Sequence, residues 1–194
     1  MFDIRAHDKT APAPGELELV QRFMNLHEHG PGAAGDLPPS RELLEDFLRQ
    51  RGLLEDDAPF TDADGEAALE LHRALHAKVR TPPDGAGLAD RDVAAIDRAV
   101  RRAGLRPQFG RGGPALRPTE GGVAGALGRI VAVAFLADLE GTWEGLKGCA
   151  GDDCNAVFYD RSKNHSGRWC SMSTCGNRAK VRAWRERRRA DDPA

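Results

Sequence analysis

The chain has four cysteines, Cys149, Cys154, Cys170 and Cys175, all within 27 residues, and the 148 residues before them contain none. They form two close pairs, Cys149-x4-Cys154 and Cys170-x4-Cys175, with fifteen residues between the pairs. Four thiolates at ~2.3 Å satisfy the tetrahedral preference of Zn²⁺, and each pair is close enough for one turn to bring both sulfurs to the ion. The segment also needs a metal to fold. Residues 149–178 offer only Val157, Phe158, Tyr159, Trp169 and Met172 as large apolar groups. These are too few to offset ordering ~30 residues at ~1 to 2 kcal/mol each. Structural zinc supplies on the order of 10 to 16 kcal/mol in small fingers.

Other chemistries use the same residues. Two disulfides would require an oxidising compartment, an iron–sulfur cluster also takes four cysteines, and a zinc site can be redox-switched. One structural zinc is the favoured reading. A catalytic zinc keeps a coordination position for water, and four cysteines fill the shell, so hydrolysis at this metal is not expected and the chain is not read as an enzyme.

Beyond Cys175 the sequence reads as a helix through Arg189, in which Arg178, Arg182, Arg185 and Arg189 recur at intervals of four, three and four. That spacing stacks guanidinium groups along one stripe. Lys180 and Arg187 add charge from the other side, and Val181 and Trp184 fall on a neighbouring face where they are expected to pin the helix to the finger. Arginine forks suit phosphate and the O6/N7 edge of guanine, and a helix fits the major groove. Arg161, Lys163, His165 and Arg168 in the preceding loop are candidate phosphate clamps. A solvated basic tail is the plain alternative. RNA is less favoured, because Trp169 and Trp184 read as core residues rather than stacking platforms.

The elements that must position these groups lie upstream. With 194 residues, 40% hydrophobic and 30% charged, the chain is long enough for one domain plus an appendage. The net charge of -2 hides two halves. Residues 161–194 hold 10 Lys+Arg against Glu186, Asp191 and Asp192, whereas residues 1–160 hold 18 Lys+Arg against 27 Asp+Glu. An acidic body repels a duplex within about a Debye length, ~8 Å, so it must face away or restrain binding. The apolar run Val123–Ala137 is broken by Gly125, Gly128 and Arg129 and falls short of the ~18 residues of a membrane span, so no membrane passage is expected. Met1–Thr10 carries Asp3, Arg5, Asp8 and Lys9 and no apolar h-region, so the expected compartment is the reducing cytoplasm.

Apolar periodicity predicts a helix from about Leu17 up to the His27–Gly30 region, with His27, Glu28 and His29 at its end, and a second after the cap Ser40, carrying Leu43, Leu44, Phe47 and Leu48 to Gly52. A third runs from Thr61 to Val79 before Pro82. A fourth is capped by Asp90, with Val93, Ile96 and Val100 inward and Gly104 at its end. Leu105–Thr119, rich in Pro and Gly, reads as an irregular hairpin limited to edge pairing. Val123–Leu139 is apolar on most faces and is the expected centre of the core. His72 and His76 stand at i and i+4, but no glutamate follows His72 as in a zinc-protease helix, so packing or surface roles are favoured. Gly110, Gly112 and Gly113 lack the Lys-Ser/Thr of a phosphate loop.

The run Cys149-x4-Cys154-x3-Phe158-x-Asp160-Arg161-Ser162, followed by Arg168-Trp169-Cys170-Ser171-Met172-x2-Cys175-Gly176-Asn177-Arg178-Ala179-Lys180, resembles the CGNR zinc finger family. The helical region before it looks like the ABATE domain that precedes this finger in bacterial proteins described as stress-induced transcription regulators. There, Phe23-Met24-Asn25 is similar to a Phe-x-Asn near the family's N-terminus. The reading is therefore mainly α: an ABATE-like helical domain with a small β-hairpin over residues 14–146, then a treble-clef-like four-cysteine zinc finger ending in a basic helix over 147–190. The resemblance implies zinc-dependent DNA binding, with a small-molecule or stress signal received upstream. A single finger buries only ~600 to 1,000 Å², so usable specificity favours a homodimer. The alternative is a zinc-stabilised protein-interaction module without nucleic-acid binding.

Overall fold

The computed structural model describes residues 10–29, 36–81, 87–111, 113–152 and 154–191. Five helices build the body: α1 (Leu17–Met24), α2 (Arg41–Gln50), α3 (Asp62–Arg80), α4 (Asp90–Ala103) and α5 (Gly122–Leu139). Two short antiparallel pairs interrupt them, β1–β2 (Glu28–His29 with Asp36–Leu37) and β3–β4 (Arg106–Gly110 with Gly113–Arg117). A 3₁₀ turn, Thr142–Gly145, then leads into β5 (Leu146–Gly148), which pairs antiparallel with β6 (Val157–Tyr159). The basic helix α6 spans Asn177–Asp191. Helix α1 stops at Met24, short of the expected His27–Gly30 region, and Glu28 and His29 form a strand instead.

Local signals start the helices as expected. The Ser40 hydroxyl accepts from the Leu43 N–H, and Thr61 and Asp64 form a reciprocal capping box. Ala89, not Asp90, is the residue that precedes α4, and Asp90 sits in its first turn, where a carboxylate favours the helix dipole.

Helix α5 is the centre of the core. Val123, Leu127, Ile130, Val131 and Ala134 are buried on it and meet Phe23, Leu71 and Leu75. Its length and hydropathy suit a membrane span, but 61% of it is buried inside this fold. Helix α4 corrects the expectation drawn from residue size. Ala95, Ala99 and Ala103 face inward, whereas Ile96 and Val100 are half-buried and Val93 is 43% exposed. The reason is steric. A Cβ on Gly128 of α5 would stand 2.3 Å from the Ala103 methyl, so α4 approaches too closely for larger side chains.

The finger is tied to the body by core packing and by a polar clasp. Leu146 and Val157 belong to the same apolar cluster as α1 and α5, so β5 and β6 are extensions of the body. Asn25, at the end of α1, donates from Nδ2 to the Val157 carbonyl at 2.8 Å and accepts from the Val157 N–H at 2.7 Å. It pairs the free side of β6 as a neighbouring strand would. Fully buried Gln21 accepts from the Ala13 N–H at 2.6 Å and donates to the Ala11 carbonyl at 3.1 Å. Asn25→Ala leaves the buried Val157 N–H without its partner, so a loss of about 1 to 3 kcal/mol is expected in urea unfolding. Asn25→Asp, which keeps the acceptor, should recover part of it. Equal midpoints for Asn25→Ala and the parent would show the clasp to be unimportant.

Candidate metal centre

Each cysteine is placed by a short backbone device. Cys149 follows β5 directly, and its N–H donates to the Ala156 carbonyl at 2.8 Å, continuing the hairpin. Cys154 sits in the turn back, where its N–H donates to the Gly151 carbonyl at 3.2 Å. A Cβ on Gly151 would lie 3.2 Å from that of Cys154 and 3.6 Å from the sulfurs of Cys149 and Cys175, so the turn wraps closely around the centre. Cys170 donates its N–H to Cys149 Sγ at 3.4 Å. Cys175 is carried by a single π turn, Met172–Gly176, that runs into α6.

The four sulfurs lie within 4.8 Å of one another. Cys154 and Cys170 are 3.7 Å apart, and Cys170 and Cys175 3.6 Å. Sulfurs at the corners of a tetrahedron around an ion at ~2.3 Å stand about 3.8 Å apart, so the donor set fits one zinc ion. A disulfide needs sulfurs at about 2.05 Å, and all four thiols are free. Crowding divides their protonation. The Cys170 thiol hydrogen-bonds to Cys154 and holds it down to about 5; the same pairing pushes Cys170 far above the usual thiol range. Burial pushes Cys175 up to about 11. A dication at the centre supplies the charge that lets all four act as thiolates.

Beside the centre, Asp160 organises the loop to Cys170. It accepts from the Ser162 N–H at 2.9 Å, the Gly167 N–H at 2.7 Å and Lys147 Nζ at 3.0 Å. Burial alone would raise its pKa, but these donors hold the carboxyl well below the usual carboxylate range. The reading of the sequence gave Asp160 no role. Its place in the Phe158-x-Asp160-Arg161-Ser162 part of the motif was the signal that could have found it.

The basic residues are placed unequally. Arg178, Arg182 and Arg185 line one open groove on α6 with Ser173, Thr174 and Asn177. Arg182 also pairs with Asp152 at the finger. Lys163 and Lys180 are exposed. Arg189 falls in α6, with its side chain outside the described residues. Arg161 is turned toward the body: it donates to the Pro12 carbonyl at 2.8 Å and lies over Tyr159. Arg168 stacks on Trp169, which packs against the cysteine cluster. Val181 and Trp184 do not pin α6 to the finger; they are 47% and 51% exposed, and Arg188 lies over the Trp184 ring. The helix leaves the centre after the π turn, and the Arg182–Asp152 ion pair in its second turn is a contact it keeps with the finger.

His72 and His76 pack inside the body. His72 donates from Nε2 to the Met24 carbonyl at 3.2 Å, His76 Nε2 meets the same oxygen, and the two rings are 4.7 Å apart. Among the described residues, the four cysteines are the group of metal-ligating side chains that converge. No curated protein matches the chain. Two family models do: the CGNR zinc finger over residues 146–188, and ABATE, described as "Putative stress-induced transcription regulator", over 17–141. The second match spans more than half of the 194 residues, so the chain belongs to the ABATE family and carries a CGNR zinc finger behind that domain.

Proposed function

We propose that this chain is a non-enzymatic bacterial transcription regulator of the cytoplasm that binds DNA through α6, with the zinc centre as the platform for that helix. The observation that carries the reading is the α6 groove, where Arg178, Arg182 and Arg185 are exposed side by side directly after the last metal ligand, and where Arg182 would exchange its solvent-exposed partner Asp152 for phosphate. Their forks suit phosphate and guanine edges, and α6 has the dimensions of a major-groove element. An effector arm is supported by a groove of about 490 Å³ on the body, lined by Leu75, Val93, Ile96, Val100 and Phe135. Its size and lining suit an apolar small molecule.

The test is selection of bound fragments from a DNA pool by the full zinc-loaded chain, with a chelated sample beside it. A sequence enriched with zinc and lost on chelation is the expected result. Replacing Arg178, Arg182 and Arg185 together with alanine should lower the slope of log affinity against log salt by about 0.9 per lost phosphate contact. Full-length protein is required, because β5 and β6 pack into the body core.

The protein-interaction reading is favoured by one observation, the exposed Val181 and Trp184 on α6. No enrichment, with an unchanged salt slope in the arginine variant, would give that reading precedence. A second copy of the chain is the simplest partner for those two side chains and would also supply the homodimer that specificity favours.

A further inference from the structure

The β3–β4 hairpin carries charge and exposure that the finger does not explain. From Arg98 to Thr119 the chain holds six arginines and no Asp or Glu, inside a body that is otherwise acidic. Of the three on α4, Arg98 bonds Glu70 at 2.9 Å and Arg101 lies 3.8 Å from Asp97, whereas Arg102 has no ion pair among the described residues. Those on the hairpin, Arg106, Arg111 and Arg117, have no ion pair among the described residues.

The register sharpens the point. Arg106 stands directly opposite Arg117 across the pair. Side chains of opposed residues share one face with Cβ atoms about 4.5–5.5 Å apart, and like charges there repel. An anion between the two guanidinium groups removes that repulsion. Arg111 sits at the turn, and Phe109, two residues before it, is 88% exposed. The hairpin meets the body where β4 contacts α5, and Leu116 lines the apolar groove over α4 and α5.

We infer that the β3–β4 hairpin is a second nucleic-acid contact, gripping the phosphate backbone of duplex DNA through Arg106, Arg111 and Arg117, with the Arg106–Arg117 face, opposite that of Leu116 and Phe109, turned to the duplex. A two-stranded ribbon fits the major groove. Duplex DNA presents one charge per ~1.7 Å of axis, enough for three guanidinium groups on strands ~17 Å long. Addition of a peptide strand is disfavoured, because Pro107 and Pro114 leave each strand short of a donor. An acidic patch of a second copy is disfavoured because several body carboxylates are already engaged: Glu16 with Arg129, Glu70 with Arg98 and Asp138 with Lys78. The inference rests on the DNA reading of the finger, and the experiment separates the two.

Binding of a random-sequence duplex by the full zinc-loaded chain is measured across a salt series for the parent, R106Q/R111Q/R117Q, F109A and R178A/R182A/R185A. Thermal midpoints serve as the fold control. The hairpin triple variant should bind about tenfold or more weakly, with a salt slope lower by about 2 to 3, and its midpoint should not fall. F109A, on the opposite face of the pair, is the control and should leave affinity and slope unchanged. A normal slope in the hairpin variant beside a lowered slope in the α6 variant overturns this inference and leaves the finger reading intact. A parent chain that binds no duplex overturns both. A hairpin variant that loses self-association in sedimentation, with its DNA slope unchanged, gives the hairpin to a second copy and also overturns it.

Discussion

Removing zinc with a chelator, or replacing Cys170 with serine, is expected to release residues 149–156 and 168–191 to fast amide exchange while α1 to α5 stay protected. The cysteine cluster contains only Ala156, Trp169 and the cysteines themselves, and it is separate from the body core. Nothing apolar replaces the ion, whose contribution of about 10 to 16 kcal/mol exceeds that of any contact around it. Helix α6 has 15 residues, a length that is marginal for an isolated helix in water, and Val181 and Trp184 give it no packing on the finger. The strands β5 and β6 should remain, because Leu146 and Val157 are held in the body core. Exchange unchanged over 149–156 and 168–191 after verified metal loss would contradict the assignment of zinc as the folding element.

Acidification should destabilise the body well before its carboxylates titrate. Burial, with His76 beside it, lowers His72 to about 3, and burial lowers His76 as well. The sign follows from linkage. Between the unfolded value of 6.5 and the folded value near 3, the unfolded chain binds more protons, so stability is full above about pH 6.5 and falls as pH drops toward 3. For His72 alone the loss reaches roughly 4 to 5 kcal/mol at the acid end. His72→Gln keeps a donor for the Met24 carbonyl and cannot take up a proton, so its thermal midpoint should fall less between pH 6.5 and 4 than the parent's. Zinc loss in acid affects both proteins alike, so the difference between them isolates the histidine. Parallel profiles for the two would refute the buried, neutral assignment.

Much of the architecture is local, which is why it is legible. Ser40 and Thr61 cap helices through bonds to residues three positions away, Gly104 ends α4 in the left-handed region at φ 58°, and the Cys-x4-Cys spacing closes two turns on one ion. Side-chain size was a weaker guide. Val93, Ile96 and Val100 are larger than Ala95, Ala99 and Ala103, yet the alanines are buried because α5 comes close at Gly128. Averaging charge over residues 1–160 likewise concealed the basic hairpin, since an average carries no position.

The amino-acid order alone determined the helices, the metal ligands and the family, because each depends on spacing within a turn or on a contiguous motif. Only the tertiary structure decided which basic groups are available and how the finger meets the body. Arg161 is engaged with Pro12 and Arg182 with Asp152, while Asn25 bonds Val157, 132 positions away in the chain. Such pairings join residues far apart in sequence, and they exist only once the core around α5 has brought α1 and β6 together.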